Sequence, residues 1–432
     1  MEQCLDAPGE RTAMRMTIKR YPDDFNVEEI LCRETASRIS EEPGPFALYR
    51  LAKRRLGTDE ALDRIAAALR VPPASIGYAG LKDKHASTVQ YITIDVSRLG
   101  AEQAPRTLEA PGLKLERIGW LEDRVSADAM SGNRFRITLR SLTRRRCAQL
   151  DDTREFLSVP RTRGKVLRFV NYYGEQRFGS ARHGQGFAAR HLIGGNLDEA
   201  LRLIIATTDR KDPKKRKAAK QAIAAGWGNW KRLAETLPAC PERRVVERLA
   251  ATGGDFREGF SALPYFIRQM TIEAYQSWLW NEVARRVIAG DCTPPFIRAV
   301  SRFGDLVFPR AAGIPTGIIS LTVPLFSPQV SFVEPWRAAA EDVLAGEAIS
   351  LQDLRIPGMR KPYFGAVARA LFAEAAEFSL GPVERDESST DATRFKRNVK
   401  FFLPRGSYGT VLLQGLGAWR RSAITSGAQS IL

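Results

Sequence analysis

Period-two alternation near both ends of this 432-residue chain, with helical periodicity between them, constrains the fold more than any other feature. Apolar and polar residues alternate in Asp24-Phe25-Asn26-Val27-Glu28-Glu29-Ile30 and in Phe46-Ala47-Leu48-Tyr49-Arg50-Leu51. They alternate again from Tyr91 to Val96 and from Phe135 to Arg140. Each run reads as a strand with one buried face. Strand-like runs return at Val399-Lys400-Phe401-Phe402-Leu403 and from Tyr408 to Leu413. From about Gly186 to Leu263 the apolar residues, Leu197, Leu201, Ile204 and Ile205 among them, follow helical spacing instead. A mainly helical domain set into a sheet-bearing host is the simplest arrangement.

Local signals sharpen this outline. Thr58 as N-cap, with Asp59 and Glu60 behind it, opens a helix through Leu69 that stops before Pro72-Pro73. The longest helix is expected from Pro264 to about Gly290, with the glycine as its C′ residue. The acidic, serine-rich stretch from Arg385 to Asp391 reads as an exposed loop.

Composition then limits function. A hydrophobic fraction of 44% allows real cores, and a net charge of +17 points to a polyanionic partner, nucleic acid ahead of a membrane surface. Met1-Glu2-Gln3-Cys4-Leu5-Asp6 has no signal-peptide character, and Pro315, Pro324 and Pro328 interrupt the most apolar stretch, Gly313 to Val333. A cytoplasmic protein without membrane spans is expected. The cysteines at 4, 32, 147, 240 and 292 form no C-x-x-C pair, and His85, His183 and His191 lack zinc-site spacing, so no metal is expected. No phosphate-binding or dinucleotide-binding glycine loop is present, so no nucleotide cofactor is expected. Thr293-Pro294-Pro295-Phe296 faintly resembles a nucleobase-methyltransferase proline pair but reads better as a proline-rich loop.

Seven cations crowd the eleven residues from Arg210 to Lys220, with Lys214, Lys215, Arg216 and Lys217 at their centre. Such a run is either a solvated helix start or a set of phosphate contacts, which position RNA without reading its sequence. Arg161, Arg163, Lys165 and Arg168 form a second run. Between two expected strands lies Gly77-Tyr78-Ala79-Gly80-Leu81-Lys82-Asp83-Lys84-His85-Ala86-Ser87-Thr88-Val89-Gln90. Read alone, it is an exposed charged turn. Its lysines would nevertheless hold Asp83 ionised, as a nucleophile requires.

The whole stretch resembles the catalytic signature of the TruD family of pseudouridine synthases, with Asp83 at the essential aspartate. Four further segments agree in order. They are Lys19 ahead of Pro22-Asp23-Asp24-Phe25-Asn26-Val27-Glu28-Glu29, then Gly132-Asn133-Arg134-Phe135, then Asn171-Tyr172-Tyr173-Gly174-Glu175-Gln176-Arg177-Phe178-Gly179, and last Phe402-Leu403-Pro404-Arg405-Gly406-Ser407-Tyr408.

The resemblance implies an α+β catalytic domain on a mixed, largely antiparallel sheet at 1–167 and 376–432, interrupted by a mainly helical insertion at 168–375. It implies isomerisation of uridine to pseudouridine in RNA, in bacterial members at position 13 of transfer RNA, with no cofactor. Asp83 would attack uracil C6 or sugar C1′, or assist an elimination; the sequence does not choose. Lys19 would lower the aspartate's pKa, Phe135 would stack on a flipped-out uridine, Asn133 would share its strand face, and Gly80 would let the backbone approach. Lys82, Thr88 and Gln90 would brace the turn, and Asn171, Arg177 and Phe178 would set the junction with the insertion. A monomer is favoured. Gln414, where an arginine is common, and the long insertion depart from the bacterial pattern. The rival reading is a non-catalytic RNA-binding or RNA-folding protein using the same basic cleft; an S-adenosylmethionine-dependent methyltransferase comes third.

Overall fold

The computed structural model describes residues 16–97, 100, 104–162, 164–179, 185–209, 212–417 and 422–425. Its centre is a twelve-stranded sheet. The strands and the helices that bear on the site are β1 (Phe25–Leu31), β2 (Phe46–Arg54), α1 (Thr58–Leu69), β3 (Ile76–Tyr78), β4 (Ser87–Asp95), β5 (Thr107–Ala110), β6 (Leu113–Leu121), β7 (Met130–Leu142), α2 (Arg144–Leu157), β8 (Ser158–Arg161), β9 (Gly164–Val170), α3 (Lys214–Ala225), α4 (Tyr265–Asp291), β10 (Phe372–Leu380), β11 (Glu384–Arg385), β12 (Phe395–Pro404) and α5 (Gly409–Gly415). The order across the sheet is β5-β6-β2-β4-β1-β7-β12-β10-β9-β8, with β3 on β4 and β11 on β12. The β1–β4 pair is parallel and the other pairs are antiparallel, which makes the sheet mixed but largely antiparallel.

Strands from both ends of the sequence therefore lie side by side, with β12 directly on β7. The chain leaves the sheet at the end of β9 and returns at the start of β10, where Val170 and Phe372 are cross-strand partners. Between those residues it is mainly helical, and α4 is its 27-residue axis. Apolar side chains of α4, including Ile272, Leu279, Val283 and Val287, are buried in one core cluster with Phe135, Ile137 and Phe401 of the sheet. Burial of this kind, at about 25 cal/mol per Å² of apolar surface, holds the helices to the sheet. No helix among the described residues is long and apolar enough to cross a membrane.

Five local expectations are corrected. The segment from Tyr408 to Leu413 is not a strand: α5 covers Gly409–Gly415, and Val411, Leu412 and Leu413 are all buried. A short run buried on every side carries no period, so helix and strand are not distinguishable in it. Gln414 consequently lies buried in α5 and not after a strand. Thr58 is the first residue of α1 and Gly57 is its cap; the Thr58 hydroxyl serves the Asp83 turn instead. Gly290 is not a C′ residue, because α4 continues to Asp291 and the extended Cys292 caps it. The stretch from Arg385 to Asp391 is not simply an exposed loop. Asp386 is 1% exposed, and its carboxylate accepts from the Arg140 guanidinium at 2.9 Å and from the Ser141 backbone N–H at 2.9 Å.

Candidate active site

Register places one row of inward side chains across five strands: Lys53 opposite Thr88, Thr88 opposite Val27, Val27 opposite Phe135, and Phe135 opposite Phe401. The next row pairs Leu51 with Gln90 and Asn133 with both Glu29 and Leu403. Because side chains alternate along a strand, these groups share one face. Lys53, Glu29, Thr88 and Gln90 are buried there. Polar groups at inward positions cost free energy unless partnered, so their partners define the site.

The turn between β3 and β4 closes over this face and presents Asp83. The Lys19 ammonium pairs directly with an Asp83 carboxylate oxygen, and the other oxygen accepts the His85 backbone N–H at 2.8 Å. Burial alone would push the Asp83 carboxyl up. The Lys19 hydrogen bond and the His85 N–H outweigh it, and the group sits below the usual carboxylate range. Lys19 also lies 4.2 Å over the Phe25 ring. Phe25 meets Phe135 edge-on at 6.3 Å, and Phe135 stacks on Phe401 at 5.0 Å. Aspartate, cation and aromatic column are thus one connected unit.

Buried bonds hold the turn from below. The Lys82 backbone N–H donates to the Thr58 hydroxyl at 2.9 Å, and that hydroxyl donates to Gln90 Oε1 at 3.1 Å. The Lys82 side chain pairs with Glu29, whose other oxygen accepts the Tyr91 backbone N–H at 2.9 Å. Lys53, 2% exposed, donates to the carbonyls of Leu56 at 2.8 Å and Lys82 at 3.4 Å. Burial pulls its ammonium down to about 8, against the pull of the nearby Asp83 carboxylate. Thr88 Oγ1, Gln90 Nε2 and Asn133 Oδ1 are buried and have no hydrogen-bond partner among the described residues. At Gly80 an added Cβ would meet nothing within 4 Å, so no protein contact requires the glycine.

Phe135 is only 8% exposed. A Cβ at Gly409 would stand 3.0 Å from its ring, so α5 packs close against it. Little of the Phe135 ring is therefore exposed for a base to stack on. On the opposite face, a cavity of about 230 Å³ is lined by residues including Arg50, Arg134, Arg136 and Lys400; Asp83 is not among them.

The junction with the helical part is built on Arg369. Its guanidinium donates to the Asn171 carbonyl at 2.7 Å, to Asn171 Oδ1 at 2.9 Å and to the Gly406 carbonyl at 2.9 Å, and lies 4.0 Å over the Tyr173 ring. Arg177 pairs with Glu273 at 2.7 Å, and Phe178 is buried against Phe303.

The cationic runs are partly spent on internal partners. Arg161 and Arg168 both pair with Glu374, and Lys165 pairs with Glu155; Arg163 lies outside the described residues. Arg210 and Lys211 lie outside them too. Lys220 is buried against Asp212 and Arg216 pairs with Glu242, whereas Lys214 and Lys215 are exposed on the first turn of α3. Among the described residues no group of three or more His, Cys, Asp or Glu side chains is placed to hold a metal ion.

Sequence reasoning missed Lys53, Glu29 and Arg369. The first two carried a readable signal: Ala47, Tyr49, Leu51 and Lys53 share an inward register, as do Phe25, Val27 and Glu29. A charge in such a register marks a buried polar site. Arg369 had no comparable signal, since its partners come from segments far apart in sequence.

With this geometry in hand, residues 9–416 match the model of the family described as tRNA pseudouridine synthase D (TruD). The tRNA pseudouridine synthase D of Aquifex aeolicus is 29% identical over 417 residues, covering 93% of this chain and 98% of that protein. A protein of Methanococcus maripaludis named as a probable tRNA pseudouridine synthase D 1 is 27% identical over 411 residues, covering 92% and 98%. A crystal structure from Methanosarcina mazei, solved as a candidate tRNA pseudouridine synthase D, superposes with a TM-score of 0.64 over 94% of both chains at 23% identity. That last likeness is one of fold.

Proposed function

Since the chain belongs to the TruD family of tRNA pseudouridine synthases, we propose that it isomerises a uridine of transfer RNA with Asp83 as the nucleophile, at position 13 by family resemblance. The observation that carries this reading is the Lys19–Asp83 pair. A carboxylate held ionised by a buried-edge ammonium and a backbone N–H is competent for attack on uracil C6 or sugar C1′, or for an elimination. The reaction breaks N1–C1′ and forms C5–C1′; the C5 proton leaves and N1 gains one, so neither a redox partner nor an energy source is consumed. A stacked base cannot reach this turn, so the uridine must be extruded, at a cost of a few kcal/mol.

The extruded base stacks against Phe135, with Asn133 on the same strand face and the open space over Gly80 as its entry. Lys82, Thr58 and Gln90 hold the turn, while Asn171, Arg177 and Phe178 fix the junction. Lys214, Lys215, Arg216 and Lys217 contact RNA phosphates. The catalytic part spans 1–167 and 376–432 and the insertion 168–375; the Val170–Phe372 pairing supports these limits to within a few residues. The final described strand, Ser422–Thr425, pairs instead with Phe296–Ala299 and so reaches back to the insertion.

The test is incubation of the purified protein with transfer RNA transcripts free of modified bases, followed by chemical mapping of pseudouridine. A single new pseudouridine at position 13 is the expected result. Tight binding with no product favours the RNA-binding reading.

A further inference from the structure

Three consecutive residues at the start of α4 keep large apolar side chains in solvent: Tyr265 at 47%, Phe266 at 55% and Ile267 at 37% exposed. Beside them stands Tyr363, 57% exposed, whose backbone carbonyl accepts from Gln269 at 3.4 Å. The Tyr265 hydroxyl donates to the same Gln269 at 3.4 Å, so two tyrosines from distant segments are joined into one surface. Exposed aromatic residues grouped in this way mark an interaction site.

The chemistry around them selects the occupant. The Arg268 guanidinium lies 5.6 Å over the Tyr265 ring, and Arg360 and Lys361, both exposed, precede Tyr363 in sequence. Aromatic rings interleaved with cations suit a polyanion that carries flat bases, because rings stack on bases while cations meet phosphates.

The surface is also wired to the active site. Tyr265, Gln269, Glu273, Ser277 and Asn281 form one ridge of α4 at four-residue spacing. Gln269 donates to Glu273 at 3.2 Å, Arg177 bonds Glu273 and Ser277, and Asn281 clamps the Tyr173 backbone through two bonds. The Tyr173 ring meets Tyr408 at 6.2 Å, and Tyr408 precedes the glycine that packs on Phe135. At 1.5 Å per residue the ridge spans about 24 Å, so the platform is remote from the chemistry yet continuous with it.

We infer that Tyr265, Phe266 and Tyr363 form a second nucleobase-stacking platform, which holds an unpaired stretch of the RNA substrate while its uridine occupies the Asp83 site. This rests on the reading of the protein as an RNA-modifying enzyme. The platform sets affinity, not the chemical step.

The test is direct titration of an unmodified transfer RNA transcript, together with steady-state pseudouridine formation. The proteins are wild type, Tyr265→Ala/Tyr363→Ala, and Tyr265→Phe/Tyr363→Phe. Loss of stacking should raise Kd about tenfold or more in the alanine protein, with KM following it, while the phenylalanine protein stays within about twofold of wild type. Equal thermal melting of the three proteins shows that the fold is retained. An unchanged Kd in the alanine protein overturns the platform and leaves the exposed rings to a protein partner. The titration does not require turnover: weakened binding in a preparation whose wild type makes no pseudouridine supports the platform and sinks the enzymatic reading alone.

Discussion

The Lys53 ammonium, buried beneath the sheet face, donates to the carbonyl of Lys82, the residue immediately before Asp83. The grip is backed by a second bond to the Leu56 carbonyl and by the Thr58 hydroxyl, which takes the Lys82 N–H. The nucleophile's turn is therefore held by backbone contacts from below, while Lys19 sets its charge from the side.

Lys53→Met, close to isosteric, removes that grip. The expected outcome is a kcat lower by about 10- to 100-fold, the scale set by small misplacements of reacting groups. KM for transfer RNA should change little. Steady-state kinetics on one transcript checks it, and an unchanged kcat would reduce Lys53 to a packing residue.

Lys53 also gives an alkaline signature. Its pKa in the fold is about 8 against an ordinary value of about 10.5. Between those values the unfolded chain binds more protons, so this group's contribution makes the fold gain stability as pH rises through that window. Activity runs the other way, because the neutral amine formed above about pH 8 holds the Lys82 carbonyl less firmly. A pH–kcat profile of wild type should fall above about pH 8, and the Lys53→Met profile should lose that limb.

The acid side tests Lys19. Asp83 is depressed, so its contribution to stability is present above its unfolded value and fades as pH falls through the folded one. The acid limb of kcat/KM for wild type accordingly lies below the ordinary aspartate range. Lys19→Met removes the ammonium and leaves burial to act, which moves that limb upward. A limb that stays in place would separate Lys19 from the ionisation of Asp83.

Arg140 tests the frame. It bonds Asp24 at 2.8 Å and Asp386 at 2.9 Å, both deeply buried, and so ties the segment bearing Lys19 to the β11–β12 connection. Arg140→Met strands two buried carboxylates, at a cost of about 3–5 kcal/mol. Denaturant unfolding should show that loss as a lower midpoint.

The basic run on α3 tests the RNA path. Alanine at Lys214, Lys215, Arg216 and Lys217 should weaken transfer RNA binding and reduce the slope of log K against log salt by about 3. The reduction is smaller than four because Arg216 is engaged with Glu242. An unchanged slope assigns the run to solvent.

The parts of the fold legible in sequence were those where one face is buried and the other is wet. Strands β1, β2, β4 and β7 and helix α4 announced themselves by period alone. α5 did not, because Val411, Leu412 and Leu413 are buried together and erase the period. Asp83 was visible only through the length of its motif, since a lone aspartate between lysines is otherwise an ordinary turn. The loop from Arg385 to Asp391 misled because Asp386 is buried by a partner 246 residues earlier, Arg140. Pairings of that range leave no local trace.

The most direct measurement of the central claim compares wild type with Asp83→Asn on one unmodified transfer RNA transcript, scoring binding by titration and product by single-nucleotide mapping of pseudouridine. The account predicts product from wild type alone, with the two proteins binding RNA within a few-fold of each other. Full conversion by Asp83→Asn would contradict it.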